Sequence, residues 1–156
     1  MAKPPPGTLP QQQADAYGIP GMRRHLLLCA GPDCVAPEQG DAAWNYLKKR
    51  IAELKLDRAP TRLFRTRCHC LRICTAGPIL VVQPDGTWYA RATPEVIERV
   101  LQEHVLGGRV VSEHLFACAP LPSDSTITGC GEKGLEPIGE PVQQAPRVDS
   151  PPDMRV

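Results

Sequence analysis

The sequence is poor in several features, and each shortage narrows what the chain can be. Aromatic residues make up 4% of its 156 positions. Apolar runs such as Pro78-Ile79-Leu80-Val81-Val82 fall far short of the roughly 20 residues needed to cross a bilayer, so no membrane partner is expected. Neither sign of charge is in excess. Eighteen Lys and Arg stand against 17 Asp and Glu, a formal net charge of +1 that disfavours a strongly basic nucleic-acid protein. The start, Met1-Ala2-Lys3-Pro4-Pro5-Pro6, has one lysine and no apolar stretch behind it, so no secretory signal is expected and the chain reads as cytoplasmic. No two cysteines have the C-x2-C spacing of thioredoxin-type dithiols.

Proline and cysteine are plentiful, at 18 and 7 residues. In an unexported chain, seven cysteines read as ligands or free thiols rather than a disulfide framework. The prolines gather at the ends. Residues 1–20 hold five and residues 119–156 hold seven, leaving six for the 98 residues between. The middle carries 14 basic and 10 acidic residues, whereas residues 119–156 carry three basic and six acidic ones. Neither end shows an apolar face whose burial would offset the entropy of ordering. The expected organisation is a flexible N-terminal tail at 1–22, a folded domain at 23–118 and a Pro-rich acidic disordered tail at 119–156.

Within the middle, His25-Leu26-Leu27-Leu28-Cys29 reads as a strand buried on both faces. Ala43, Leu47, Ile51 and Leu54 recur at helical spacing within a helix expected from about 38 to 56, and Arg58-Ala59-Pro60 breaks it. Residues 62–67 read as a second strand. Strand–helix–strand order favours a parallel pair with a right-handed crossover. Residues 79–83 and 87–91 flank Pro84-Asp85-Gly86, a strong hairpin signal. Thr93-Pro94-Glu95 opens a last helix through cap, first-turn proline and first-turn acid, and Gly107-Gly108 ends it. Trp44, Trp88 and Tyr89 read as core or edge packing. The expected fold is α/β: a small mixed sheet of about four strands with two main helices.

The cysteines carry the chemistry. Cys29 and Cys34 form a C-x4-C pair directly after the first strand, and Cys70 and Cys74 form a C-x3-C pair before the hairpin. Loops that follow parallel strands gather at one end of the sheet, so four thiols can converge there. Four thiolates suit zinc or an iron–sulfur cluster. Zinc knuckles favour C-x2-C on both sides, whereas longer, unequal loops can wrap a flat two-iron core. Gly31-Pro32 and Gly77-Pro78 lie in or just after these loops, where glycine permits close approach and backbone N–H groups can point at sulfur. Cys68 stands two residues before Cys70 without an assigned role, and His25 and His69 are alternative mixed-site ligands. His104 and His114 read as surface-helix and loop residues. Cys118 and Cys130 fall at and beyond the domain end.

Residues 24–116 resemble the thioredoxin-like [2Fe–2S] ferredoxins, a family also similar to the small iron–sulfur subunit of respiratory NADH dehydrogenase and related NAD-linked complexes. The matching stretches are His25-Leu-Leu-Leu-Cys29 with Gly31-Pro-Asp-Cys34, Cys70-x3-Cys74-Thr-Ala-Gly77-Pro78, Asp85-Gly86-Thr-Trp88-Tyr89, Thr93-Pro94-Glu95 and Glu103-His104-Val-Leu-Gly107-Gly108. The resemblance implies a thioredoxin-like fold and a [2Fe–2S] cluster, with Cys29 and Cys34 on one iron and Cys70 and Cys74 on the other. It also implies one-electron transfer between redox partner proteins, and a homodimer. Arg67 and Arg72 flank the loops as candidates for tuning the cluster or docking a partner. Three other readings remain open: an iron–sulfur subunit of an NAD-linked dehydrogenase or hydrogenase complex, a zinc-stabilised interaction module, and a thiol–disulfide enzyme. The short stretch before the first strand favours the stand-alone carrier over the subunit, and the missing C-x2-C counts against the enzyme.

Overall fold

The computed structural model describes residue 5 and residues 7–121. Its elements run α1 (Pro10–Tyr17), a short 3-10 turn (Ile19–Gly21), β1 (Arg24–Cys29), α2 (Pro37–Glu53), β2 (Leu63–Cys68), β3 (Ile79–Gln83), β4 (Thr87–Tyr89), α3 (Pro94–Arg99) with a π-helical continuation (Val100–Leu106), and β5 (Leu115–Cys118). The strands form one sheet in the order β2-β1-β3-β4-β5. β1 and β2 are parallel, with Cys29 opposite Cys68, and the remaining neighbours are antiparallel. The strand–helix–strand unit and the hairpin are therefore present, and the architecture is the expected mixed α/β one.

Two differences stand against the sequence reading. A fifth strand, β5, pairs along β4 and completes the sheet. Its sequence, Leu115-Phe116-Ala117-Cys118, is too short to alternate clearly, and its pairing with β4 is what makes it a strand. The second difference is α1, in a stretch expected to be a flexible tail. Pro10 suits its first turn, Gln12 Oε1 accepts the Leu9 N–H at 3.1 Å, and Gly18 ends it in the left-handed region at φ 73°. No residue of α1 is buried. Local capping alone accounts for it, a signal easily missed where apolar periodicity is the main guide. Residues 122–156, the greater part of the expected C-terminal tail, lie outside the described residues.

The helices cover one face of the sheet. Leu26 and Leu28 of β1, Leu80 and Val82 of β3, and Tyr89 of β4 meet Ala43, Leu47 and Ile51 of α2 and Val96, Ile97, Val100, Leu101 and Val105 beyond. Each fully buried leucine or isoleucine contributes about 1.5–3 kcal/mol relative to exposure. Two links tie this layer together. Arg50 of α2 grips Glu98 of α3 through two hydrogen bonds of 2.7 Å, and Tyr46 donates to the same carboxylate at 3.0 Å. At the hairpin end, His104 packs beneath the sheet, with Nδ1 2.9 Å from the Tyr89 hydroxyl and Nε2 3.3 Å from Asp85. The surface-helix reading of His104 is thus corrected: the π-helical stretch turns it inward, leaving it 4% exposed. Burial holds its pKa below the usual histidine value, with Asp85 opposing the shift.

Among the described residues, no helix packs in the apolar cluster of the opposite face. Cys29, Ile79 and Val81 form a smaller apolar cluster there, and Leu71 and Ile73 of the β2–β3 loop fold over it beside Cys34, Cys68 and Trp88. The cysteine-bearing loop is thereby anchored to the sheet by its own apolar residues.

Candidate metal centre

The position of the thiols follows from topology. β1 and β2 are parallel, so the loops leaving their C-terminal ends emerge side by side. Cys29 is the last residue of β1, and Cys34 sits in the loop before α2. Cys70 and Cys74 lie in the loop that leaves β2 and returns as β3. Cys29 and Cys34 have their sulfurs 3.2 Å apart, and Cys70 and Cys74 theirs 3.7 Å apart. Two thiolates on one tetrahedral ion with bonds of about 2.3 Å lie about 3.8 Å apart. The outer pair stands at that separation and the inner pair is somewhat tighter. Among the described residues, no group of three or more His, Cys, Asp or Glu side chains stands in single-ion geometry. The thiols come as two adjoining pairs.

Glycine makes the approach of the two loops possible. A Cβ on Gly31 would overlap the carbonyl oxygen of His69, and one on Gly77 would overlap that of Cys34. Each cysteine loop thus clasps the other at a position where only glycine fits without rearrangement. Arg67 braces the inner loop from behind, donating to Asp41 at 2.5 Å and to the Ala30 carbonyl at 3.3 Å. This structural task differs from the two offered for it from sequence, tuning the cluster and docking a partner.

The outer loop carries a second feature that sequence reading missed. Arg72, Cys74 and Ala76 have positive φ of 62°, 46° and 52°, alternating with residues of ordinary negative φ. Such alternation turns successive N–H groups to one side and builds a concavity that suits anions, iron–sulfur clusters included. The Arg72 N–H already points at Cys70 Sγ, 3.2 Å away. The donor to sulfur is therefore a residue of the loop crest, whereas the expected donors were the two Gly-Pro segments. Non-glycine residues in the left-handed region cost free energy, and strain of this kind clusters at functional sites. Nothing in the linear string signals the alternation.

Cys34, Cys68 and Cys74 resist ionisation. Burial, followed by the neighbouring Cys29, pushes the Cys34 thiol up to about 12, and a hydrogen bond from the Cys74 backbone works the other way. Cys74 is raised first by its contact with Cys70. Cys68 is pushed up to about 11 by burial and then by Cys29. A cation that binds thiolates relieves this congestion and releases protons as it does so. The donor set is all sulfur, arranged in two pairs, beneath a loop shaped for negative charge. That set fits a two-iron, two-sulfide cluster, in which each iron takes two cysteines. His25 stands four residues from Cys29 on β1, about 13 Å along the strand, and its Nε2 meets Thr66 Oγ1 at 2.8 Å. His69 contributes its carbonyl oxygen, 3.6 Å from Cys29 Sγ. The described part of the chain thus brings Cys29, Cys34, Cys70 and Cys74 to one end of the sheet, with Cys68 beside them.

Sheet and thiol site together define a small α/β protein with a two-pair thiolate centre. No family model matches the chain. Among characterised proteins, it is 40% identical over 94 residues to a 2Fe–2S ferredoxin of Aquifex aeolicus (strain VF5), covering 56% of this chain and 84% of that protein. It is 43% identical over 94 residues to a 2Fe–2S ferredoxin of Clostridium pasteurianum, covering 57% and 91% respectively. Among solved structures, the thioredoxin-like [2Fe–2S] ferredoxin from Aquifex aeolicus superposes with a TM-score of 0.54 at 22% identity, over 65% of this chain and 97% of that one, a likeness of fold. The chain belongs to the 2Fe–2S ferredoxin family.

Proposed function

We propose that this protein is a one-electron carrier that holds a [2Fe–2S] cluster through Cys29, Cys34, Cys70 and Cys74, and that it works as a ferredoxin rather than as an enzyme. The observation that carries the reading is the convergence of two thiol pairs, with sulfurs 3.2 and 3.7 Å apart, at one end of the sheet. When bound, the cluster supplies a centre that takes up and gives back one electron. The chain's own residues hold and shield that centre. Cys29 is buried and anchors the inner side. Cys70 and Cys74 are exposed, which brings the outer side within reach of a partner without any loop movement. The Arg72 N–H and the alternating backbone of residues 71–76 face negative charge with donors.

The acting form is a homodimer, as the resemblance implies, exchanging electrons with a separate reductase and acceptor in the cytoplasm. No helix among the described residues is long and apolar enough to cross a membrane. The folded unit begins near residue 23 and runs to Leu121, slightly past β5, because Ala119 and Leu121 still donate to Gly86 and Pro84.

Purified protein is expected to be reddish-brown, with visible bands that bleach on dithionite and two irons and two sulfides per chain. Colourless protein with one tightly bound zinc would overturn the proposal. Sedimentation of the cluster-loaded protein tests the dimer, and a monomer at micromolar concentration would count against it.

A further inference from the structure

The connection between β4 and α3, residues 90–93, reaches across to the outer cysteine loop. The Arg91 N–H donates to the Ala76 carbonyl at 2.7 Å, and the Ala92 N–H donates to the Pro78 carbonyl at 2.8 Å. These two carbonyls stand on either side of Gly77, which lies so close to the Cys34 carbonyl that a Cβ would overlap it. Ala76 is two residues past Cys74. The connection thus holds the outer loop at the point where it presses on the inner one. Its own footing is firm, because Ala92 is 0% exposed within the helical-layer core.

Arg91 makes its contact in an unusual conformation. Its φ is 50°, in the left-handed region that favours glycine, although its side chain is bulky and exposed. Such a conformation costs free energy and persists where the surrounding contacts over-determine it. Here those contacts are the two hydrogen bonds to the outer loop. An ordinary negative φ would rotate the Arg91 N–H relative to the Ala92 N–H, and the two could no longer meet the Ala76 and Pro78 carbonyls together.

We infer that Arg91 is a positioning residue: its left-handed backbone clamps residues 76–78 and fixes the spacing between the Cys70–Cys74 pair and Cys34. The inference rests on these cysteines being ligands. A centre held by two separate loops needs those loops at one separation, and the clamp sets it from outside both. What Arg91 supplies is backbone conformation, with no role for its guanidinium.

The test compares full-length Arg91→Gly and Arg91→Val with the unsubstituted protein. Both variants lose the guanidinium, and they differ in their tolerance of a positive φ. Iron release to excess chelator in the absence of denaturant should speed up on the order of tenfold in Arg91→Val, the size expected for a β-branched residue forced into the left-handed region. Arg91→Gly should release iron no faster than the unsubstituted protein. The EPR g-values of the dithionite-reduced protein should shift in the valine variant and hold in the glycine one. Lys55, with φ 54° just past the end of α2 that lies away from Cys34, supplies the control. In Lys55→Val the urea midpoint should fall while iron release and g-values stay as they are. Release and g-values in Arg91→Val equal to those of the unsubstituted protein would overturn the inference. Equally fast release from both Arg91 variants would trace the effect to the lost side chain and overturn it as well. Fast release from Lys55→Val would reduce the effect to general destabilisation, with the same result. Should Arg91→Val fail to fold, Arg91→Ala against Arg91→Gly repeats the comparison with a smaller penalty. Absence of iron from the unsubstituted protein would overturn the cluster assignment itself, and this inference with it.

Discussion

Cys29 and Cys34 are held between a buried strand and a 17-residue helix, with Arg67 bracing the loop from behind. Cys70 and Cys74 are exposed and ride on a loop whose backbone alternates in and out of the left-handed region. One pair is immobilised by tertiary packing, and the other is shaped by its own backbone. The difference teaches how one site can be both anchored and accessible. In the proposed ligand set the inner pair would tie the cluster to the core, while the outer pair would bring it to the surface where electrons pass.

The comparison can be broken most directly at the ligands. Cys29→Ser is expected to reduce bound iron to near zero, because a buried ligand has no freedom to rearrange. Cys70→Ser should retain part of its cluster with a displaced visible spectrum, since the exposed loop can adjust. Iron content and absorbance measure both, and equal loss would show that the two pairs are equally rigid. The glycine contacts come next. Gly31→Ala forces a Cβ into the His69 carbonyl, and overpacking of this kind costs about 1–3 kcal/mol. Its urea midpoint should fall, while Thr75→Ala on the exposed loop should leave the midpoint unchanged.

A smaller effect separates the fold from the site in acid. Arg50 holds the Glu98 carboxyl down at about 2, from an ordinary value near 4.5. A carboxyl depressed in the folded state contributes stability that is complete above the unfolded value and is lost as pH falls from about 4.5 towards 2. Glu98→Gln should lack that part of the pH dependence, read as the urea midpoint from about pH 6 down to about pH 3. The pH at which the visible bands disappear should be unchanged, because Glu98 lies in the helical layer, away from the thiols. The smallest effect belongs to the chain end. Truncation after Leu121, and Cys118→Ser, should both leave spectrum and midpoint as they are. A loss of iron on truncation would place residues beyond 121 in the folded unit.

Much of the fold was legible because burial and turn chemistry leave strong marks. Leu26 and Leu28 announce β1, Ala43, Leu47 and Ile51 announce α2, and Asp85-Gly86 announces the β3–β4 hairpin. β5 was not legible, because four residues become a strand only when β4 supplies a partner. The burial of His104 was hidden as well, since it depends on how the π-helical stretch turns against Tyr89 and Asp85. At the site, the residue types and their two-loop grouping were visible in the spacing, and so was the need for glycine at positions 31 and 77. The N–H donor at Arg72 and the brace at Arg67 were not, because backbone dihedrals and cross-element contacts have no local signature.

The sequence by itself determined the chemistry: two cysteine pairs, the apolar periodicities that bury the strands around them, and the glycines that let two loops meet. Those are properties of single residues and short spacings, written wherever a side chain must be apolar, sulfur-bearing or absent. Only the tertiary structure decided the asymmetry of the site. Parallel pairing of β1 with β2 set Cys68 opposite Cys29, buried Cys29 with Cys34 half-buried beside it, and left Cys70 and Cys74 exposed. That outcome follows from which strands adjoin, a long-range choice made by the whole core and carried by no single segment.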